Sequence, residues 1–241
     1  DVYKRQAFGR AAGALGADVR EGVRVASAEH DGTRFILRTD DGLEVRSRYL
    51  LNCAGAWAGR FAEGFGESVP ETSIHPLMMV TEPLPVFMSV SLGIQGGGIY
   101  ARQVARGNCV IGGGRGVSSD PDFARPGRAG LGTLMANATK LLPVLRGAQV
   151  IRFWTGVEGN MPDHNPVLGP SATVPGLFHA FGLSGAGFQI GPAVGEVLSE
   201  LVVRGQSSIP IDAFRIERYT AAAHGAAGRP ESVREQTLES P

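Results

Sequence analysis

An excess of charge of one sign is missing from this sequence: 23 lysine and arginine residues balance 23 aspartate and glutamate residues over 241 positions. Without a basic field there is nothing to neutralise a phosphate backbone, so nucleic acid is not an expected partner. Cysteine is scarce, with only Cys53 and Cys109. Both lie in apolar, strand-like runs and are expected to be buried, reduced thiols of a cytoplasmic protein. No cysteine or histidine cluster has metal-ligand spacing, so no metal is expected. There is no apolar run of the ~20 residues that a membrane span needs, and no signal-peptide pattern. An initiating methionine is also lacking. The chain enters a helix-like segment directly at Asp1-Val2-Tyr3-Lys4, which reads as a piece of a longer protein whose first part is missing.

Glycine is what the sequence has in excess. Its 35 copies cluster at 93–98, 112–116 and 182–195. Clustered glycine in apolar context marks tight turns, or backbone pressed close to a neighbour or ligand. The apolar share of 43% is enough for one large domain or two small ones with a real core.

Residues 7–16 read as the end of a helix stopped at Gly16. A strand is expected from Asp18 to Ala28, with Val19, Val23 and Val25 on alternate positions. Arg34–Thr39 and Glu44–Arg46 suit a hairpin turned by Asp40-Asp41-Gly42. Tyr49–Cys53 is a short apolar strand that runs into Ala54-Gly55-Ala56-Trp57-Ala58 and a helix ending near Phe65. Small residues between a strand and a helix mark the ligand edge of an open α/β sheet. From about residue 73 the pattern turns antiparallel, with strands at Ile74–Thr81, Gly98–Val104 and Cys109–Gly113. A helix over Gly127–Leu142 is ended by Pro143. Strands follow at Gln149–Gly156 and Leu177–Phe181. The helix Gly187–Arg204 carries Ile190, Val194, Val197, Leu198 and Leu201 at helical spacing. Beyond Tyr219 there is little to bury, and residues 220–241 are expected to be disordered.

Three motifs stand out. Asn52-Cys53-Ala54-Gly55-Ala56-Trp57 lets a ligand approach a strand end, although a tight turn anchored by Trp57 in the core explains it equally. Asp163-His164-Asn165-Pro166-Val167-Leu168-Gly169 reads alone as a turn-rich connector. Gly182–Gln189 opens a helix whose first N–H groups are unsatisfied and whose N-terminus is partly positive. An anion or polarised carbonyl fits there, as does close packing of helix on sheet.

In their order and spacing these motifs resemble the FAD-dependent oxidoreductases of the D-amino-acid oxidase, glycine oxidase and sarcosine oxidase type. The stretches that carry the resemblance are Tyr49–Ala58, Val80-Thr81-Glu82-Pro83, Gly98-Ile99-Tyr100-Ala101-Arg102 with Val110–Gly114, Gly156–Gly169 and Gly182–Gly205. It extends over roughly residues 7–219.

The resemblance implies an α/β (α+β) fold. A partial FAD/NAD(P)-binding, Rossmann-like domain (7–72 and 156–219) is interrupted by a mainly antiparallel-sheet substrate domain (73–155). It implies FAD, with oxidation of the C–N bond of an amino acid or amine by hydride transfer to flavin N5. The electrons pass to O2 or a redox partner. In the family a G-x-G-x-x-G fingerprint near the N-terminus holds the ADP pyrophosphate; this chain lacks it.

By resemblance, Val25 lies at the adenine end, and Ala54, Gly55 and Trp57 lie where the chain passes the cofactor. Gly156 approaches the isoalloxazine. Gly182, Ser184, Gly185, Gly187, Phe188 and Gln189 hold its pyrimidine edge and the ribityl chain. Tyr100 and Arg102 face the flavin from the substrate domain. Two residues depart from the pattern. Glu158 stands where glycine-oxidase-like members place a carboxylate-gripping arginine, and Ala186 stands where many relatives have histidine. Glu158 would repel a carboxylate, so Arg102 supplies the positive charge or the substrate is a cationic amine. His75, His164 and His179 are expected to be structural, and neither cysteine sits in a flavin-attachment motif. Two alternatives stay open: a non-catalytic flavoprotein-like subunit of a heteromeric dehydrogenase, or a flavin-dependent 2-hydroxy-acid dehydrogenase. The sequence fixes no oligomeric state.

Overall fold

The structure, a computed structural model, describes residues 2–95 and 98–219. The expected disorder of 220–241 and the glycines at 96–97 fall outside the described residues. The chain opens with helix α1 (Val2–Ala14) and an antiparallel meander of β1 (Val25–His30), β2 (Phe35–Thr39) and β3 (Glu44–Ser47). The strand expected from Asp18 begins only at Val25. Gly22 turns the chain at φ +71°, Asp18 pairs locally with Arg20 at 2.8 Å, and Val19 is exposed. Alternating valines make a strand only where another strand or a core receives them. Next come β4 (Leu50–Asn52), a 3-10 turn at Gly55–Trp57 and α2 (Ala58–Glu63).

The middle of the chain is sheet-rich: β5 (Thr72–Ile74), β6 (Pro76–Pro83), β7 (Leu92–Gly93), β8 (Tyr100–Gln103), β9 (Asn108–Arg115), then the small hairpin β10 (Val117–Asp120) and β11 (Phe123–Arg125). Helix α3 (Arg128–Leu141) follows, stopped by Pro143 as expected, and then β12 (Val150–Thr155). Five of these strands form one antiparallel sheet in the order β12-β6-β9-β8-β7. In β6 the alternation places Leu77, Met79 and Thr81 inward. α3 covers that face, packing Leu134 and Ala138 on Leu77, Met79, Ala101, Cys109 and Ile111. Each large aliphatic side chain buried there contributes about 2 kcal/mol. The other face has no helix on it among the described residues.

The chain returns through β13 (Glu158–Asn160), β14 (Val167–Pro170), β15 (Leu177–Phe181) and α4 (Gly187–Arg204). β13 pairs with β5, so the strands that leave and re-enter lie side by side. β15 pairs antiparallel with β14 and parallel with β4. The far edge of β4 has no strand partner among the described residues. Every residue of β15 is buried. Val197, Leu198 and Leu201 of α4 pack on Leu168, Phe178 and Ala180 from one side, and Ala58, Met161 and Ile216 meet Phe181 from the other.

A polar network crosses this core. Asn52 donates to the Ala58 carbonyl at 2.9 Å and to His179 Nδ1 at 3.2 Å. With Nδ1 accepting, Nε2 carries the proton and donates to Glu67 Oε2 at 2.8 Å. Ser171 Oγ and the Ala172 N–H also donate to Glu67, at 2.7 and 2.6 Å. His179 is thus tied into the core by both ring nitrogens. The molecule is a mixed helix and sheet fold with mainly antiparallel sheets.

Candidate functional site

The first part of the site is the free edge of β4. Asn52 occupies the buried position of this strand, so its neighbours Leu51 and Cys53 point outward. Cys53 is exposed, contrary to the expectation of a buried thiol, while Cys109 is buried. Leu51, Cys53, Ala54 and Trp57, with Arg24 and Val25, line a groove of about 700 Å³. The structure thus brings Val25, Ala54 and Trp57 together. Trp57 is no core anchor: it is 39% exposed and its indole N–H donates to Asp122. Gly55 makes the turn between them at φ +61°.

The second part is the loop that opens α4. Gly182 lies at φ +63°, and a Cβ there would come within 2.5 Å of Met161 Cγ. Only glycine tolerates both the backbone angle and the approach. Ser184, at φ +49°, accepts the Met161 N–H at 3.0 Å and donates to the Gly182 carbonyl at 3.0 Å. These bonds hold an unusual turn in one shape. Helix α4 has no side-chain N-cap and no acidic residue in its first turn. Among the described residues the N–H groups of Gly185, Gly187 and Phe188 have no acceptor. This is the donor set that a polarised carbonyl or anionic ring edge requires. The Phe188 side chain does not join it. Its ring lies 4.4 Å from Lys4 Nζ and lines a separate cavity of about 370 Å³ with Phe8 and Pro192. The Gln189 side chain is exposed and makes no hydrogen bond among the described residues.

The third part is the open face of the five-stranded sheet. Tyr100 lies over Gly112, where a Cβ would meet the ring at 2.3 Å. Its hydroxyl donates to Met78 Sδ at 2.9 Å. Burial pushes the Tyr100 phenol up, and the negative charge of Glu158 adds to this against the positive charge of Arg115. Glu158, half-buried on β13, has a carboxylate oxygen 3.8 Å from the Cβ position of Gly185. Glu158 therefore stands beside the Gly182–Gly187 loop and acts electrostatically on Tyr100. Arg102 shares the Tyr100 face, is exposed and forms no ion pair among the described residues. Gly156 is exposed between β12 and β13, with nothing within 4 Å of its Cβ position. Among the described residues no three His, Cys, Asp or Glu side chains gather as a metal site.

Sequence reading missed Glu71. Its Oε2 accepts the Gly59 N–H at 2.7 Å. Its Oε1 is buried without a partner, 3.9 Å from the Cβ position of Gly182, and burial raises its pKa. No spacing in the chain announces a contact among residues 59, 71 and 182.

A strand end with an open groove, a glycine turn that leaves helix N–H groups free, and a facing antiparallel sheet together define a nucleotide-cofactor oxidoreductase fold. The chain belongs to the FAD dependent oxidoreductase (DAO) family, whose model matches residues 5–201. Hydrogen cyanide synthase subunit HcnC of Pseudomonas aeruginosa is 29% identical over 212 residues, covering 86% of this chain and 48% of that protein. Glycine oxidase of Bacillus subtilis is 25% identical over 220 residues, covering 90% and 58%. The crystal structure of L-proline dehydrogenase from P. horikoshii superposes with a TM-score of 0.77 at 25% identity, covering 90% of this chain and 59% of that one. The chain spans about half the length of the curated relatives it matches. No helix among the described residues is long and apolar enough to cross a membrane.

Proposed function

We propose that this chain forms the flavin-ring end and the substrate face of an FAD-dependent oxidoreductase that oxidises the C–N bond of an amino acid or amine. Residues 7–72 and 156–219 make the cofactor side and 73–155 the substrate side. One observation carries the reading: among the described residues the turn at Gly182–Gly187 leaves N–H groups without acceptors beside Glu158, whose charge acts on Tyr100. Those donors suit the N1–C2=O edge of a flavin, where negative charge gathers on reduction. FAD, when bound, supplies the two-electron acceptor for the hydride that leaves the substrate carbon.

The residues of this chain bind and orient. Ala54, Gly55, Trp57 and Val25 line the path of the cofactor along β4. Gly182, Ser184, Gly185 and Gly187 hold the ring, with Gly156 beside it. Phe188 and Gln189, expected at the same edge, support the loop only through their backbone. Tyr100 and Arg102 close the substrate side, and Glu158 faces the substrate nitrogen. Substrate C–H and N–C bonds would thereby be held in one geometry, which adds to the rate of such a reaction. Electrons leave to O2 or a redox partner. The two unbridged cysteines suit a cytoplasmic, reducing setting.

The test is spectroscopic. The complete polypeptide carrying this sequence is purified, its flavin absorbance recorded, and amines and amino acids are added without oxygen. Retained flavin that bleaches is the expected result. Retained flavin untouched by every amine favours the non-catalytic subunit, and bleaching by 2-hydroxy acids alone favours the other alternative; either outcome overturns the proposal.

A further inference from the structure

The open face of the five-stranded sheet is ordered in two rows. Across β12, β6, β9 and β8 the first row reads Trp154, Met78, Gly112, Tyr100. The next reads Arg152, Val80, Val110, Arg102. The row nearer Glu158 is thus an aromatic and thioether platform with a dip at Gly112. The other is two valines flanked by two arginines. Neighbouring strands are ~4.8 Å apart, so the arginine Cα atoms stand about 14 Å apart. Side chains leaning inward over the valines approach one another from both edges.

Neither Arg102 nor Arg152 has an ion pair or side-chain hydrogen bond among the described residues, and both are exposed. Arg115, after the bulge in β9, is likewise unpaired and acts on Tyr100. Glu82, next along β6 on this face, turns instead to the Gln149 N–H at 2.9 Å and pairs with neither arginine. Glu158 is the carboxylate at the platform end and is also unpaired. Among the described residues an apolar floor therefore has an unpaired carboxylate at one end and two unpaired guanidiniums at the other.

We propose that this face selects an amino dicarboxylate, a substrate with one ammonium and two carboxylates. The ammonium meets Glu158, the carbon skeleton lies on Met78, Gly112 and Tyr100, and Arg102 and Arg152 each take a carboxylate. Planar, bidentate pairing is what arginine provides and lysine does not. A simple amine leaves both guanidiniums unused, and a monocarboxylate leaves one. This inference rests on the proposed amine oxidation and names its substrate class.

The complete, FAD-loaded polypeptide is titrated by calorimetry with glutarate, a dicarboxylate that cannot be oxidised, and with butyrate. Turnover is compared for amino dicarboxylates, amino monocarboxylates and plain amines. Glutarate is expected to bind about tenfold or more tightly than butyrate. Arg102→Ala and Arg152→Ala should each weaken glutarate about tenfold, with Arg→Lys at either position in between. Glu158→Gln should spare glutarate and raise KM for the amino dicarboxylate. Both arginines are exposed strand residues without an ion pair among the described residues, so unchanged melting temperatures will show that the variants fold. Equal binding of glutarate and butyrate, or an arginine variant that leaves glutarate untouched, overturns the inference. If flavin bleaches with amines but shows no dicarboxylate preference, amine oxidation stands and this inference falls. If glutarate binds through both arginines and no amine bleaches the flavin, the dicarboxylate site stands and amine oxidation falls.

Discussion

Glu67→Gln is the substitution whose outcome the geometry fixes most tightly. Glu67 and His179 are both fully buried. Three donors point at the carboxylate: His179 Nε2, Ser171 Oγ and the Ala172 N–H. Glutamine offers one acceptor oxygen and one donor group in their place. If its oxygen takes the position facing His179 and Ser171, its NH2 confronts the Ala172 N–H. If it is reversed, its NH2 confronts the histidine. His179 cannot escape by changing tautomer, because Nδ1 already accepts from Asn52, whose amide is committed to the Ala58 carbonyl. One charge-assisted bond is lost and at least one buried donor is left unpaired, at a cost of about 3 kcal/mol. Acid supplies a second reading of the same group. Burial opposes ionisation of Glu67, but the bonds from His179, Ser171 and Ala172 outweigh it and hold the carboxyl below its ordinary range. A carboxyl lowered in the folded state adds stability that is complete above its unfolded value of about 4.3 and is lost as pH falls through the folded value. Urea unfolding at pH 7 should show the full deficit of Glu67→Gln, and the gap to the parent should narrow toward pH 3. A variant as stable as the parent at pH 7, or a gap unchanged by acid, would refute this account.

Gly182→Ala should force the new Cβ against Met161 and strain a φ of +63°; flavin content after purification should fall several-fold, and Met161→Ala in the same chain should recover part of it. Gly112→Ala should displace Tyr100 and Met78, whose atoms lie 2.3 and 2.4 Å from the new carbon, so KM should rise far more than flavin content falls. Arg218 donates to Asp163, Asn165, Phe214, Arg215 and Tyr219. Arg218→Lys cannot reproduce that fork and should cost about 1–2 kcal/mol after solvent screening, read as a lower melting temperature.

Elements built from local signals were legible in the sequence. Asp40-Asp41-Gly42 placed the β2–β3 hairpin, Pro143 stopped α3, and the apolar spacing of Gly187–Arg204 matched α4. Elements that exist only through a distant partner were not. β13 is three residues long and owes its strand geometry to β5, more than eighty positions earlier. β14 likewise depends on β15 and carries a glycine and a proline that argue against a strand. The alternation at Val19–Val25 failed in the opposite direction, since it met no receiving surface.

The site divides along the same line. The backbone part of the candidate site, Ala54–Trp57 and Gly182–Gly187, could be singled out because glycine clusters at two strand-to-helix turns, although packing alone also uses glycine there. Its side-chain part was only half readable. Tyr100, Arg102 and Glu158 could be singled out one at a time, but Arg152 could not, because only strand order brings it into the row of Arg102. β12 is last in sequence and lies beside β6, so Arg152 falls in register with Val80 and, two strands on, with Arg102. That register changes the meaning of Glu158. Read as a lone replacement for an arginine, it weakened the case for a simple α-amino-acid substrate and left either Arg102 to supply the positive charge or the substrate to be a cationic amine. Set across an apolar floor from two guanidiniums that have no ion pair among the described residues, it suits the cationic end of the proposed amino dicarboxylate. The charge of a binding site is thus a property of the sheet, and no single strand carries it.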